Sequence, residues 1–269
     1  MRTASSGRAA WVAATLLAAG AARAADAPAP VPPPAPVPAP VTAPAPVPPP
    51  APVPVPATVP APNTLTPEEQ AAGWKLLFDG RTTAGWRGFK KDAMPDGWTV
   101  EAGALVRLGG GGDIVSAEAF GDFELSLEWK VAEGGNSGIL YRVTEDEGTP
   151  WATGPEMQVL DNARNDSGKN PLATAGSCCH LYAPSKDVSR PAGQWNQARI
   201  VAKRARVAHW LNGEKVVEYE IGTDDWKARV AASPFKAMPK FGANAKGLVC
   251  LQDHGDRAEF RSVKIREIR

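Results

Sequence analysis

The sequence predicts an all-β domain, a sandwich or jelly roll of two antiparallel sheets with one or two short helices. About a dozen short segments of strand composition follow one another, with turns that contain Gly, Pro or Asn between them. Residues 123–131 alternate strictly between apolar and other side chains, which predicts a strand with one buried face. Asn212-Gly213 lies directly between two alternating segments and is the strongest short signal for a hairpin.

The elements can be placed in chain order. A helix is predicted to begin at Thr66, because Thr is a good N-cap, Pro67 suits the first helical position and acidic residues follow. A second helix covers residues 223–230, with Thr223 or the Asp after it as the cap. The predicted strands are residues 73–80, 98–101, 104–107, 113–116, 123–131, 139–143, 156–160, 174–182, 195–201, 206–211, 214–219, 247–255 and 258–268. The glycine run 109–112 precedes neither Lys-Ser/Thr nor a helix start, so it is not a phosphate-binding loop.

The first residues have the composition of an export signal. Arg2 and Arg8 stand before an apolar run at residues 9–19, and Ala22-Arg23-Ala24 fits a small-x-small cleavage site. We therefore expect residues 1–24 to be a signal peptide and the protein to be exported to the periplasm or the extracellular space. The apolar run is too short to span a bilayer as a stop-transfer helix, although an uncleaved anchor is the alternative. No later stretch is long enough to be a transmembrane segment.

Residues 25–63 consist almost entirely of Ala, Pro and Val. Such a segment cannot form a packed core and is predicted to be a disordered linker in an extended polyproline-II conformation. It is either a stalk that holds the domain away from a surface or a leader without a specific role. Residues 64–269 then form one domain, long enough for a full hydrophobic core.

Composition narrows the classes of partner. The chain has 30 Lys and Arg against 29 Asp and Glu, so it has no basic excess to attract phosphates, and we expect no nucleic acid partner. Eight of the nine Trp lie in the domain, and Trp on a surface is a common platform for sugar rings, although most Trp are core residues. Composition therefore favours a carbohydrate over a nucleic acid as ligand.

The three cysteines, Cys178, Cys179 and Cys250, allow one disulfide. Export implies an oxidising compartment in which Cys250 can pair with Cys178 or Cys179. Neighbouring residues of a strand point to opposite faces, so only one of the vicinal pair can reach Cys250. No Cys-x-x-Cys spacing is present, which excludes a zinc ribbon.

The predicted strand 156–160 is unusually polar on one face. Alternation puts Glu156 and Gln158 together, and Asp161 joins them only if a bulge or the strand end shifts the register by one residue. An isolated buried carboxylate is costly, so this cluster indicates a ligand, a metal ion or an open cleft. The alternative is the solvated outer face of an ordinary strand.

A second polar strand face lies near the end of the chain, where Gln252 and His254 share a face with Cys250. Core strands of a sandwich present apolar side chains to the other sheet, so two polar faces predict a cleft lined by one sheet. Arg142 is a candidate source of cationic charge, and Asn136 a candidate source of hydrogen bonds. Each has an ordinary alternative: His254 can cap a turn, and Arg142 can pair at the surface with Glu145 or Asp146.

The motifs that are absent limit the chemistry. The sequence contains no nucleophile elbow, Walker loop, His-Glu-x-x-His or EF-hand loop. Carboxylate and imidazole chemistry remains, with or without a divalent metal ion. Glu156, Asp161 and His254 are the candidate metal ligands. His180 is interpreted as a solvent-facing residue of the strand 174–182.

Five motifs occur in one order: Trp-Lys-Leu-Leu-Phe-Asp-Gly at 74–80, Gly-Gly-Asn-Ser-Gly-Ile with Tyr-Arg at 134–142, Glu-Met-Gln-Val-Leu-Asp-Asn at 156–162, Gly-Gln-Trp-Asn at 193–196 and Leu-Gln-Asp-His-Gly at 251–255. Together they resemble the 3-keto-disaccharide hydrolase family. The resemblance implies a concanavalin-like, lectin-like jelly roll and a secreted hydrolase that acts on glycosidic bonds of 3-keto-glycosides or 3-keto-disaccharides. The spacing Glu-x-Gln-x-x-Asp is also similar to Glu-x-Asp-x-x-Glu of laminarinase-type glucanases, but the middle acid is an amide here, so the retaining roles do not transfer.

Such a substrate implies a specific chemistry. A ketone at carbon 3 acidifies the proton on carbon 2, a base removes it, and the enolate expels the group on carbon 1; water addition then completes hydrolysis, unless the reaction stops at elimination. Either His254 or Glu156 is expected as the base and the other as the acid, with Asp161 and Gln158 orienting them or a metal. Arg142 or the metal is expected to stabilise the enolate. The candidate catalytic residues are Glu156, His254 and Asp161, and the candidate substrate-binding residues are Gln158, Arg142, Asn136, Gln252 and Trp151.

Two other functions fit the same sequence. One is a non-catalytic, lectin-like carbohydrate-binding module on a Pro-rich stalk, with Trp86, Trp98 or Trp151 as the sugar platform. The other is a structural cell-surface domain, in which Glu156 and His254 would lie on separate, solvated surfaces. An enzyme instead requires a carboxylate or His with a perturbed pKa in a deep cleft.

Overall fold

The computed structural model describes residues 60–268. The predicted signal peptide at residues 1–24, and the predicted linker 25–63 up to its last four residues, lie outside the described residues. Asn63, the last residue of that linker, is already tied to the domain: its side chain donates to the Gly103 carbonyl at 2.8 Å and accepts from the Ser262 backbone N–H at 2.7 Å. No helix within residues 60–268 is long and apolar enough to cross a membrane.

The described residues form two helices, thirteen strands and four short 3₁₀ turns. The helices are α1 (Pro67–Ala71) and α2 (Asp224–Ala231). The strands are β1 (Lys75–Leu76), β2 (Trp86–Gly88), β3 (Trp98–Glu101), β4 (Ala104–Arg107), β5 (Ile114–Phe120), β6 (Phe123–Val131), β7 (Asn136–Val143), β8 (Glu156–Leu160), β9 (Asn196–Lys203), β10 (Arg206–Leu211), β11 (Glu214–Glu220), β12 (Gly247–Leu251) and β13 (Ala258–Glu267). The 3₁₀ turns are Pro150–Ala152, Asp166–Lys169, Pro171–Ala173 and Pro234–Ala237.

The strands pair into two antiparallel sheets. The larger sheet has eight strands in the order β11-β10-β9-β6-β13-β4-β3, with β1 added on β13. The smaller sheet has five strands in the order β2-β5-β12-β7-β8. The apolar face of β6 is buried along its whole length, as its alternation predicts, and fully buried side chains such as Trp129 and Tyr141 fill the core. The predicted jelly-roll sandwich with two short helices is confirmed.

Both helix starts follow from their capping residues. Thr66 accepts from the Glu69 N–H at 3.2 Å while the Glu69 side chain accepts from the Thr66 N–H at 3.1 Å, which completes a capping box. Thr223 caps α2 by accepting from the Trp226 N–H at 3.3 Å. The Trp226 ring stacks on Phe241 at 5.7 Å and on Tyr219 of β11 at 5.2 Å, so α2 packs between β11 and the segment that follows the helix.

Three predicted strands differ from the structure. Of the predicted strand 73–80, only Lys75–Leu76 is a strand. Residues 174–182 are irregular, because Gly176 (φ +88°) and His180 (φ +60°) have left-handed backbone conformations that interrupt a strand; only isolated bridges at Cys178 remain. The predicted strand 247–255 ends at Leu251, so the motif residues that follow belong to a loop.

The disulfide that the sequence allows does not form, because all three cysteines are free. Cys179 lies beside Glu156, Glu156 pairs with Leu140, and Leu140 pairs with Cys250. Three strand spacings, about 14 Å, therefore separate the Cα atoms of Cys179 and Cys250. A disulfide needs Cα atoms within about 7 Å. Cys178 pairs with Met157 and packs in the core between the sheets, whereas Cys250 packs on the other side of the smaller sheet.

We therefore expect the thermal unfolding midpoint, Tm, to be the same with and without dithiothreitol, because no cross-link restrains the unfolded chain. Alkylation in denaturant without reductant should modify three thiols per molecule. A Tm that falls on reduction, or fewer than three modified thiols, would contradict the separation of Cys250 from the vicinal pair.

Candidate active site

The site is built around Gly138, on the outer face of the smaller sheet. In the β7–β8 register, Gly138 lies opposite Gln158, and Leu140 lies opposite Glu156. The Glu156 side chain leans over the glycine, since a Cβ on Gly138 would lie 2.3 Å from Glu156 Oε1. Only a residue without a side chain leaves room for the carboxyl group here, so Gly138 is part of the site.

Two amide side chains stand on either side of the Glu156 carboxyl group. The Gln252 backbone N–H donates to the Gly138 carbonyl at 3.0 Å, which places Gln252 across β7 from Gln158. Gln252 Nε2 donates to Glu156 Oε2 at 3.4 Å. Gln158 Nε2 donates to Asn136 Oδ1 at 3.2 Å. The structure therefore brings together the polar residues of the two faces that alternation predicted.

These residues form the floor of a cavity of about 370 Å³. On the sheet side, the cavity is lined by Asn136, Glu156, Gln158, Gln252 and His254. On the loop side, it is lined by Trp151, Ser167, Ala173, Cys179, His180, Pro234 and Phe235. Trp151 is 40% exposed and is available as a platform for a ring, whereas Trp86 and Trp98 are buried in the core. Of the three Trp platforms considered from the sequence, only Trp151 can serve.

The carboxyl group of Glu156 is mostly protonated at neutral pH. It is 8% exposed, and burial, together with the charge of Asp113, raises its pKa to about 8. The hydrogen bond from Gln252 opposes the shift only in part. At neutral pH the group is mostly a neutral carboxylic acid, and because Gln252 donates to Oε2, its proton belongs on Oε1, above Gly138.

Asp113 is a site residue that the sequence did not indicate. It comes just before β5, whose Ile114 pairs with Leu251, so Asp113 lies beside Gln252 in the row that crosses the sheet to Gly138. Its Oδ1 accepts from the Asp253 N–H at 2.8 Å. Burial raises the pKa of Asp113, and His254 interacts favourably with its charge. The sequence indicates only that Asp113 begins a strand, and the cross-strand register reveals its place in the site.

His254 is held at the cavity by a braced loop. Asp253 forms a buried ion pair with Arg107, with Nη2 and Oδ1 2.6 Å apart, and accepts from the Gly112 N–H at 2.9 Å. Ser137 Oγ donates to the Gln252 carbonyl at 2.7 Å. The loop that follows β12 is therefore fixed on three sides, and it holds the imidazole of His254 at the same cavity as Glu156.

His180 is exposed to solvent, as interpreted, but it stands in a turn at the wall of the cavity and not on a strand. Its left-handed backbone turns the ring towards Phe235, with ring centroids 6.2 Å apart in an edge-on contact. Burial lowers the pKa of His180, so the imidazole is neutral at pH 7. The unexpected turn at this residue, which periodicity does not reveal, brings a second imidazole to the cavity.

Asp161 does not join Glu156, so this prediction is wrong. No bulge shifts the register of β8, and the Asp161 carboxylate instead accepts from the backbone N–H groups of Gly134 at 2.8 Å and Ala163 at 3.2 Å. It lines a separate cavity of about 330 Å³. The three predicted metal ligands therefore do not converge. Among residues 60–268, no group of three His, Cys, Asp or Glu side chains is arranged to hold a metal ion.

The predicted place of Arg142 in the site is also wrong. Tyr141 and Arg142 together oppose the single residue Val249, and at this bulge Arg142 has φ +54°, which turns its side chain away from the cavity. The buried guanidinium group donates to the Gly121 carbonyl at 3.1 Å and to the Arg204 carbonyl at 2.8 Å. Its charge partner is Asp122, at 3.4 Å, rather than Glu145 or Asp146.

Comparisons with known proteins show the family to which the chain belongs. The chain is 34% identical over 229 residues to the 3-keto-disaccharide hydrolase of Bacteroides thetaiotaomicron, a match that covers 73% of this chain and 79% of that protein. Two solved structures from Parabacteroides distasonis, both assigned as glycosyl hydrolases, share the fold: one is 36% identical with a TM-score of 0.73, over 78% of this chain and 100% of the other. The second is 26% identical with a TM-score of 0.59, over 72% of this chain and 99% of the other.

The resemblance seen in the five motifs extends over nearly the whole domain. The profile of the 3-keto-alpha-glucoside-1,2-lyase-like domain matches residues 73–266, which include every strand from β1 to β12 and all residues that line the cavity. The chain belongs to the 3-keto-alpha-glucoside-1,2-lyase-like domain family, and its cavity is the candidate active site of a glycoside-acting protein.

Proposed function

We propose that this protein cleaves glycosidic bonds of 3-keto-glycosides or 3-keto-disaccharides, by elimination across carbons 1 and 2 followed by addition of water. One observation carries the proposal: a neutral carboxylic acid, Glu156, is held over Gly138 in the same cavity as the imidazole of His254. The family to which the chain belongs, and the named function of its Bacteroides relative, support the choice of a 3-keto sugar.

The two groups have complementary roles. His254 takes the proton from carbon 2, and the C–H electron pair forms the enolate of the carbon 3 ketone. The enolate expels the oxygen on carbon 1, and Glu156 donates its proton to that leaving oxygen. In the second half, the Glu156 carboxylate takes a proton from water as the water adds to carbon 1. The ring proton of the exposed His254 has by then exchanged with solvent, so His254 delivers a solvent proton to carbon 2. Both groups then regain their starting protonation.

Polar groups in the cavity wall stabilise the enolate, because the Arg142 guanidinium group is bonded to the Gly121 and Arg204 carbonyls instead. Asn136 lines the cavity and uses its amide oxygen to accept from Gln158, which leaves its amide nitrogen as a donor. The neutral imidazole of His180 is a second donor in the wall. Preorganised donors of this kind stabilise an oxyanion in a site with little water.

The other two functions explain the site less well. A binding module has no need of a buried acid with a raised pKa, although Trp151 could serve it as a platform. A structural domain would place Glu156 and His254 on separate surfaces, whereas both line one cavity. Export remains part of the proposal and is supported by the signal-like composition of residues 1–24.

The reaction can be tested in D₂O with a 3-keto-glucoside and its unoxidised parent. We expect turnover of the keto sugar alone, with deuterium at carbon 2 of the released 3-keto sugar, because elimination removes the original proton and hydration adds one from solvent. The same product incubated without enzyme controls for spontaneous exchange. Cleavage of the parent glucoside at an equal rate, or product that retains its original proton, would contradict the proposed mechanism.

Glu156→Gln should lower kcat by about 10²–10⁴, because the amide cannot donate a proton to the leaving oxygen. The variant should also be more stable than the wild type, by a margin that grows from pH 4.5 to about 8 and persists above pH 8. In this window the unfolded chain has lost the Glu156 proton and the folded chain has kept it, so wild-type stability falls as the pH rises. Glu118→Gln, the same change at an exposed glutamate of the same sheet, is the matched control for both kcat and Tm.

Asp113→Asn should move the alkaline limb of the pH–rate profile to lower pH. Activity requires protonated Glu156 and is lost as the pH rises through its pKa of about 8. The charge of Asp113 contributes to that raised pKa, so the neutral amide lets Glu156 lose its proton at lower pH. Kinetics of kcat against pH measure the shift. An alkaline limb that stays in place would show that Asp113 does not act on Glu156.

A further inference from the structure

Two buried amide oxygens in the cavity have no partner in the protein. Buried polar atoms are nearly always hydrogen-bonded, so each exception needs an explanation. Among the described residues, five buried side-chain atoms have no hydrogen-bond partner, and two of them, Gln158 Oε1 and Gln252 Oε1, belong to residues that line the cavity. They stand on opposite sides of Gly138 and of the Glu156 carboxyl group above it.

The protein itself sets the direction of both amides. Gln158 uses its nitrogen to donate to Asn136 Oδ1, and Gln252 uses its nitrogen to donate to Glu156 Oε2. The two oxygens are therefore left as acceptors. Gln158 is only 4% exposed, so bulk water does not compensate its oxygen. A ligand that fills the cavity has to bring hydrogen-bond donors to these two positions.

The chemistry of the cavity restricts which donors fit. Among the described residues that line it, none is Lys or Arg, and the charge next to it is the carboxylate of Asp113. A neutral amide oxygen accepts from a hydroxyl group without a charged partner, and the exposed ring of Trp151 offers an apolar surface to a sugar ring. The donors that this arrangement suits are sugar hydroxyls.

We propose that Gln158 and Gln252 each accept a hydrogen bond from a free hydroxyl of the bound sugar ring, so that the site selects neutral sugars in which both hydroxyls are unsubstituted. This inference rests on the proposed function for the identity of the reacting sugar. It adds how the ring is held: two acceptors stand on either side of the acid that protonates the leaving oxygen. A ring that lacks either hydroxyl leaves a buried oxygen without a partner, which costs more than the hydrogen bond alone.

The test uses sugars deoxygenated or fluorinated at carbon 2, 4 or 6, in two measurements with the wild-type protein. The first is the Kd of the unreactive methyl α-glucosides, from quenching of Trp fluorescence; the second is kcat/KM for the corresponding 3-keto-glucosides. At two of these three carbons, we expect removal of the hydroxyl to weaken binding about 10-fold. Fluorine should not restore it, because a C–F group cannot donate a hydrogen bond.

Gln158→Met keeps the length of the side chain and removes the acceptor. It should weaken binding of the parent glucoside about 10-fold and abolish the penalty for one of the two deoxy sugars, because no oxygen is then left unpaired. Gln197→Met, the same change at an exposed residue of β9 in the other sheet, should alter neither value. A Tm within the range of the control shows that the fold is intact.

The outcomes separate this inference from the proposed function. Selective binding of the parent sugars without turnover of any 3-keto-glucoside would sink the function and leave the inference standing. Turnover with no penalty at any position, or full rescue by fluorine, would overturn the inference and leave the function. A failure to bind or turn over any sugar in the series would overturn both.

Discussion

The site depends on the contact between the Glu156 carboxyl group and the bare backbone of Gly138. That contact buries an acid at the surface of a sheet, and burial raises its pKa to about 8. The same glycine also lies between the two amides, Gln158 and Gln252, because the strand register and a backbone hydrogen bond align both residues on it. Any side chain at position 138 would remove the acid from this place, and the rest of the cavity would then have no reacting centre.

Charged and polar groups outside this contact hold the loops that surround the cavity. The buried ion pair of Arg107 with Asp253 holds the loop that carries His254. Under the opposite edge of the cavity, Tyr141 and His209 are hydrogen-bonded at 2.9 Å within the core, and His209 Nδ1 lies 3.1 Å from the Gly176 carbonyl. This network anchors the irregular segment that brings Cys179 and His180 to the wall. Loops on both sides of the sheet are thus tied to the core.

How far the site could be predicted depended on the kind of residue. Alternation predicted that Glu156 and Gln158 share a face, and this holds because a regular strand obeys a period of two. Asp161 and Arg142 were assigned to the site without support from this rule. Asp161 needed a register shift that β8 does not have, and a bulge turns Arg142 towards nearby backbone groups. Asp113 could not be found in this way, because its importance arises from a strand that is distant in sequence and adjacent in the sheet.

The sequence by itself determined the two-sheet sandwich, both helix caps, the polar face of β8 and the family, because periodicity, capping and ordered motifs are local properties of the chain. Only the tertiary structure decided which polar residues meet. The strand order β5-β12-β7-β8 brings together residues more than a hundred positions apart, such as Asp113 and Asp253. The same order keeps Cys250 from the vicinal cysteines, and it places Glu156 where burial keeps it protonated. Register and burial are long-range quantities, since each is set by neighbours that the local sequence does not contain.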